Sequence, residues 1–176
     1  EQKNAEEKLL KSERKYKEIF NNLLDVYVES DLNGTIVEIS PSFERLGGYT
    51  REEVIGTSAR DLYADPAKRD ELLERIKEKG IIKNFEVEAV HKNGSLLPFS
   101  MTSTLVKDKN GKPVKLIGML RDISDRKQAE ERVRASEARY HSIMEASPDP
   151  IVIYDMEGKT VYINPAFTSV FGWTFE

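Results

Sequence analysis

The stretch IKNFEVEAVHKNGSLLPFSMTSTLVKDKNGKPVKLIGMLRD, residues 82–122, decides the fold. It contains two Asn-Gly pairs, Asn93-Gly94 and Asn110-Gly111, and each pair separates segments that are rich in β-branched and apolar residues. An Asn-Gly pair in that setting is the strongest short-range signal for a two-residue β-hairpin. The stretch therefore predicts three consecutive antiparallel strands, at 82–92, 95–107 and 113–122.

A third pair, Asn33-Gly34, predicts another hairpin upstream, with strands at 25–31 and 35–40. After this hairpin the pattern becomes helical. Ser40-Pro41 is a typical helix start, and Gly47-Gly48 is a typical helix end. The sequence therefore predicts a short helix directly after the second strand.

Asp65-Pro66 predicts the start of a longer helix that ends at Gly80. Leu72, Leu73 and Ile76 form its apolar stripe, so this helix is expected to lie across the sheet. The order of elements is strand, strand, helices and three strands. This order predicts an α+β fold in which helices cover one face of a five-stranded antiparallel sheet, and no β-α-β alternation indicates a parallel sheet.

The chain also repeats itself. Ser12-Glu13-Arg14-Lys15-Tyr16 returns 124 residues later as Ser136-Glu137-Ala138-Arg139-Tyr140, and glycines, prolines and strand positions keep the same offset. The chain is therefore expected to be a fragment of a tandem array. The predicted divisions are an N-terminal linker helix at 1–21, one complete domain at 22–124, a linker helix at 125–144, and the truncated start of a second domain at 145–176.

Both linker segments carry small or apolar residues at alternating spacings of four and three, which is typical of a short coiled coil. The pattern predicts a parallel homodimer through two such helices, although a solvated single helix is the alternative. The seam residues are Leu9, Ser12, Tyr16 and Ile19 in the first linker, and Ala129, Val133, Ser136 and Tyr140 in the second.

Composition excludes several functions. The 176 residues include no Cys, which excludes disulfides, thiolate metal sites and Cys nucleophiles. The net charge of −4 argues against nucleic acid as a partner, and no apolar run approaches the roughly 18 residues of a membrane span, so no direct membrane contact is expected. No catalytic motif or metal-binding spacing is present, so the prediction is no catalytic residue, no metal and no enzyme in this segment.

Five strings carry a resemblance to a known domain family. They are Asp31-Leu32-Asn33-Gly34, Pro41-Ser42-Phe43, Gly48-Tyr49-Thr50-Arg51-Glu52-Glu53-Val54-Ile55-Gly56, His91-Lys92-Asn93-Gly94-Ser95 and Arg121-Asp122-Ile123-Ser124-Asp125-Arg126-Lys127. Together they resemble the PAS domain with its C-terminal PAC half, found in tandem in prokaryotic multi-PAS signalling proteins. The resemblance implies a small internal cavity and a sensory role.

The resemblance further implies a cytoplasmic module of a larger protein, whose membrane anchoring stays open. That protein is expected to be a sensor histidine kinase of a two-component phosphorelay, which would itself be an ATP-dependent enzyme. Two alternatives remain: a ligand-free dimerisation or spacer module, and the input domain of a cyclic-dinucleotide enzyme (GGDEF/EAL). In each case the partners are a second copy and downstream domains of the same chain.

Cofactors of the resembled family can be tested against single positions. Ala59 stands where flavin-binding members have a reactive Cys, and Lys68, Arg69 and Asp70 stand where heme-binding members have an iron-ligating His. Met101 is interpreted as a core residue rather than an axial ligand. No cofactor is therefore predicted, and heme and a flavin adduct are both argued against.

Strand alternation and the resemblance define a candidate cavity lining. An ordinary packed core is the alternative interpretation of the same residues. A ligand, if one binds, is expected to be small and mostly apolar, because the alternation places no inward Arg or Lys to hold a carboxylate or phosphate. The candidate lining residues are Val28, Ser30, Phe43, Ala59, Phe85, Val87, Phe99, Met101, Ser103, Leu116 and Leu120.

Arg121, Asp122 and Ser124 are the candidate signal-relay residues, since they join the last strand to the following helix. Asp122 or Ser124 is expected to cap that helix near Asp125. The truncated second copy, 145–176, lacks three strands of its sheet. It is therefore expected to dock on another chain or to be poorly ordered.

Overall fold

The computed structural model describes residues 2–174, with side chains from 4 onward, and divides the chain into two compact units, one up to Asp125 and one from Arg126. The elements of the first unit are α1 (Gln2–Asn21), β1 (Val26–Ser30), β2 (Ile36–Ile39), α2 (Ser42–Gly47), α3 (Arg51–Val54), a 3₁₀ turn (Ala59–Leu62), α4 (Pro66–Lys79), β3 (Ile81–Val90), β4 (Leu96–Lys107) and β5 (Pro113–Asp122). The remaining elements are α5 (Ser124–Ala146), β6 (Val152–Tyr154), β7 (Thr160–Ile163) and α6 (Pro165–Phe171).

The first unit contains a five-stranded antiparallel sheet in the order β2-β1-β5-β4-β3, so the predicted α+β fold is confirmed. Strands β1 and β5, the first and last strands of this sheet along the chain, are neighbours in it. Val28 lies opposite Gly118, and Ser30 lies opposite Leu116. This pairing places the end of β5 beside the start of β1.

The turns of the sheet differ from the predicted two-residue hairpins. Each is a three-residue loop closed by a backbone pair, and the pair His91–Ser95 encloses Gly94, which has a φ of 88°. Asp31 begins the equivalent first loop, and its carboxylate accepts from the backbone amides two and four residues later. These side-chain bonds favour the longer loop with glycine in the left-handed region, a common hairpin geometry.

The predicted stripe of α4 is confirmed for Leu72 and Ile76, which are fully buried against strands β3 and β4, while Leu73 is half-buried. Asp65 caps this helix by accepting from the Ala67 amide, as its position before a proline suggested. Ser40 does not cap α2 through its side chain. Its hydroxyl oxygen instead accepts from the Tyr27 amide, so it ties the end of β2 to β1.

The two linker segments are helical as predicted. Every seam position of α1 and α5 is exposed, including Leu9 at 61% and Val133 at 58%. Dimerisation therefore stays a prediction. Across the described residues, no helix is long and apolar enough to cross a membrane.

The second unit contains α5 from Arg126 onward, the β6–β7 hairpin and α6. Asn164, only 1% exposed, holds these elements together: it accepts from the Ile151 and Phe167 amides and donates to the Met144 and Asp149 carbonyls. The poor order expected for 145–176 is thus not what the structure shows for residues 145–174. Ile153, Val161 and other apolar residues remain exposed, and docking on another chain stays a prediction.

Candidate ligand cavity and its connection to the exit helix

A small cavity of about 50 Å³ lies between the sheet and the helices of the first unit. Its walls come from all five strands of the sheet and from α2, the 3₁₀ turn and α4. The structure brings together nine of the eleven predicted residues in this lining, which are Val28, Ser30, Phe43, Ala59, Val87, Met101, Ser103, Leu116 and Leu120.

The other two predicted residues, Phe85 and Phe99, are buried in the core but are not among the lining residues. The Phe85 ring packs instead beneath two cations of α4, with Lys68 Nζ 5.7 Å and the Arg75 guanidinium 5.5 Å from its centroid. Phe99 is wholly inaccessible to solvent. Alternation selected the correct face of each strand but could not separate core from cavity along it.

Gly118 creates space at the back of the cavity. A Cβ at this position would lie 2.9 Å from Cγ1 of Val28 and 3.6 Å from Oγ of Ser103. No side chain fits there without movement of its neighbours. The absence of a side chain at position 118 therefore leaves room for the Val28 side chain beside β5.

The prediction that no Arg or Lys points inward is wrong. Arg69, on α4, is only 7% exposed and lines the cavity, where its Nη2 donates to Ser30 Oγ at 3.3 Å. The signal was in the helical spacing, because Arg69 lies three and seven residues before Leu72 and Ile76 and therefore on the same buried stripe. Alternation along the strands could not find it, because Arg69 lies on a helix.

Tyr63 is a second polar lining residue that the sequence prediction omitted. Its hydroxyl donates to the Met101 Sδ at 3.6 Å. Burial raises the pKa of the Tyr63 phenol, and this effect is opposed by the nearby Arg69. The net direction is upward, so the phenol is neutral at physiological pH.

The end of β5 leads directly from the cavity into α5. Leu116, Gly118 and Leu120 line the cavity on this strand, and α5 begins at Ser124. The predicted cap is present, because the Asp122 carboxylate accepts from the Ser124 amide at 2.8 Å. The strand and the helix are therefore linked by a defined hydrogen bond.

Two further contacts fix this junction. The Ile123 amide donates to the Pro98 carbonyl on β4, and the Ile123 side chain is buried. Arg121 forms an ion pair with Asp25 at 3.0 Å, and this pair raises the pKa of the Arg121 guanidinium. The contact joins the end of β5 to the residue before β1.

The segment that follows α1 also packs at this junction. Ser42 Oγ donates to the Asp25 carbonyl, and Ser40 and Ser42 share a short hydrogen bond of 2.6 Å. On the α1 side, the Phe20 ring meets the Tyr27 ring edge-on at 5.7 Å. The helices before and after the domain therefore join the sheet beside each other.

Within the part of the chain that the structure describes, no group of three or more His, Asp or Glu residues could hold a metal ion. The perturbed carboxyl groups lie at the surface. The pKa of Glu38, for example, is lowered chiefly by its hydrogen bonds with Arg51 on α3. Glu38 and Arg51 line an open groove beside α1, away from the cavity under the sheet.

Comparison with known proteins matches two parts of the chain to family models described as PAS domain, at residues 24–125 and 138–176. Sporulation kinase E of Bacillus subtilis is 25% identical over all of this chain and 23% of its own length. The methyl sulfide methyltransferase-associated sensor of Methanosarcina acetivorans is 27% identical over 80% of this chain and 14% of its own. Sensor histidine kinase TmoS of Ectopseudomonas mendocina is 26% identical over 70% and 13%.

The chain thus spans about a quarter or less of the length of these relatives. Among solved structures, a PAS domain from Colwellia psychrerythraea has a TM-score of 0.57 and 23% identity over 64% of this chain and 97% of its own. The PAS domain of an HTR-like protein from Haloarcula marismortui has the same TM-score and 21% identity, over 69% and 99%. These structures share the fold described above.

Proposed function

Because the chain belongs to the PAS domain family, we propose that residues 22–124 form the sensory and signal-transducing module of a larger signalling protein. A sensor histidine kinase of a two-component phosphorelay is the proposed parent, in agreement with the kinases among its relatives. In this proposal the fragment senses and relays, phosphoryl transfer from ATP belongs to other domains, and the module works in the cytoplasm.

One observation carries the proposal: the strand that lines the cavity is also the strand that enters the exit helix. Leu116, Gly118 and Leu120 face the cavity, and the Asp122 carboxylate caps α5 within two residues of Leu120. A ligand that displaced β5 would change the geometry of this cap. Two arrangements of the cap supply the bistable element that signal transmission requires.

The relay proposal also includes a dimer. Small residues at half of the α5 seam positions make a weak coiled coil, which suits a switch between two states. Replacing Ala129 and Ser136 with Leu should strengthen the seam and hold the parent protein in one signalling state. An unchanged response to signal in that double variant would contradict the relay through paired helices.

The runner-up is a ligand-free dimerisation or spacer module. The cavity volume of about 50 Å³ favours it, because pockets for drug-sized ligands and cofactors measure about 300–1,000 Å³. A cavity of this size admits only a small molecule. The two functions therefore differ in whether a small molecule occupies the core.

Native mass spectrometry and an absorption spectrum of protein purified from its own host would separate the two functions. A small molecule bound at one per domain supports the sensory module. A mass equal to that of the bare chain, together with a spectrum of aromatic residues alone, supports the spacer. The protein should be exchanged into a volatile buffer without acid so that a weakly held ligand is retained.

A further inference from the structure

The guanidinium of Arg69 is a buried charge without an opposite charge beside it. The residue is only 7% exposed, and its hydrogen bond from Nη2 runs to the neutral hydroxyl of Ser30. No carboxylate among the described residues forms an ion pair with it. Removal of a cation from water is strongly unfavourable unless an anion compensates, so this position calls for a negatively charged partner.

The cavity lining itself does not supply that partner. Arg69 and Glu88 are the only charged residues of the lining, and the Glu88 side chain is exposed on the outer face of β3, with its carbonyl bonded to the Ala64 amide. The phenol of Tyr63 is neutral because burial raises its pKa. Within residues 4–174 the cavity lining therefore holds no anion beside Arg69, and a bound ligand can supply one.

The remaining lining defines the shape and polarity of that anion. Ser103 is 4% exposed and lines the cavity, where its hydroxyl can donate to a ligand. Ser30 accepts from Arg69, which leaves its own hydroxyl hydrogen to donate. The other walls are apolar, including Val28, Met101 and Leu116.

We propose that the cavity binds a short aliphatic monocarboxylate, whose carboxylate pairs with Arg69 and accepts from Ser30, while its carbons contact the apolar wall of β1 and β5. A volume of about 50 Å³ limits the ligand to a few heavy atoms, the size of acetate or propionate. One cation matches one negative charge. Phosphate is a poor match, since its polar oxygens would face the apolar wall without hydrogen bonds.

This inference rests on the proposed sensory function and names the ligand class of the same cavity. The test is a titration of the whole 176-residue chain with sodium propionate, in which the methyl NMR signal of Met101 reports binding. Propionamide, which has the same shape but no charge, and inorganic phosphate are the comparison probes. We expect saturable binding of propionate, with affinity for propionamide at least about tenfold weaker, because a charge-assisted hydrogen bond is lost.

Arg69→Met removes the charge and retains an apolar side chain of similar length, and Lys77→Met makes the same charge change on the exposed face of α4. We expect Arg69→Met to abolish the preference for propionate, and Lys77→Met to retain it. Should Arg69→Met fail to fold, the comparison of propionate with propionamide in the unmodified chain still decides the question. Equal binding of the two probes, no binding of propionate, or tighter binding of phosphate would overturn the proposal.

The result separates this inference from the proposed function. A neutral molecule found in host-purified protein, with no propionate binding, would reject the carboxylate and leave the sensory role standing. Propionate binding that depends on Arg69 but leaves the hydrogen-exchange rate of the Ser124 amide unchanged would support the ligand class and contradict the relay.

Discussion

Substitution of Gly118 by Ala tests the pairing of β1 with β5, on which the cavity and the relay both depend. The new Cβ would lie 2.9 Å from Cγ1 of Val28, closer than packed carbon atoms approach. The φ of Gly118 is not in the left-handed region, so the effect is steric rather than conformational. Overpacking of this kind lowers the free energy of unfolding by about 1–3 kcal/mol.

A second substitution makes the prediction specific. Val28→Ala removes the methyl group that the new Cβ at position 118 would meet, and alone it should lower the free energy of unfolding by about 1–2 kcal/mol. Val28→Ala removes both γ methyl groups, so in the double variant the new Cβ at position 118 meets the space that Cγ1 of Val28 has left. We therefore expect the double variant to be more stable than the sum of the single effects by about 1 kcal/mol or more.

Hydrogen exchange of the β4 and β5 amides is the assay, because it reports the opening of the first unit separately from the second. Gly118→Ala combined with Val37→Ala is the control, since Val37 is exposed on β2 and its effect should add to that of Gly118→Ala. The reasoning is refuted if Gly118→Ala alone is neutral or stabilising, or if the Gly118 and Val28 effects are additive.

Three further substitutions test other contacts. Arg121→Gln removes the exposed ion pair with Asp25 and should speed exchange at the first amides of α5 about two- to fivefold, whereas unchanged exchange would show that the pair does not hold the junction. Arg51→Gln should raise the lowered pKa of Glu38 towards its ordinary value of 4.5. A lowered carboxyl pKa stabilises the folded state above pH 4.5, and this stabilisation is lost as pH falls through the folded pKa. The variant should therefore be less stable by about 0.5 kcal/mol in urea unfolding at pH 7, and this deficit should be smaller at pH 3. An equal deficit at both pH values would contradict it. Asn164→Ala removes several buried hydrogen bonds and should destabilise the β6–β7 hairpin by about 2 kcal/mol or more. Faster hydrogen exchange of the hairpin amides would show this loss. Amides that stay as protected as in the unmodified chain would refute it.

Local patterns were sufficient for the elements of the sheet. Each Asn-Gly pair marked a turn, and only the loop length was wrong, because the side chain of Asp31 stabilises a longer closing pair than the dipeptide alone indicates. The pairing of β1 with β5 could not be predicted from such patterns. Their residues are some ninety positions apart, and their pairing is a property of the packed core.

The cavity lining contains a charged residue that the strand pattern did not predict. Alternation along the strands found most of its lining but placed no inward Arg or Lys, because Arg69 lies on a helix. Helical spacing places it on the stripe of Leu72 and Ile76, and the structure buries it there. A charged residue on an apolar stripe is informative, since its burial is unfavourable unless something compensates it.

The most direct test of the relay is hydrogen exchange at the Ser124 amide, whose bond to Asp122 joins β5 to α5. The measurement compares protein from its own host before and after removal of its small molecule. We predict a stoichiometric ligand and at least a severalfold change in this exchange rate when it leaves. An empty cavity in the host protein, or the same rate with and without the ligand, would contradict the account.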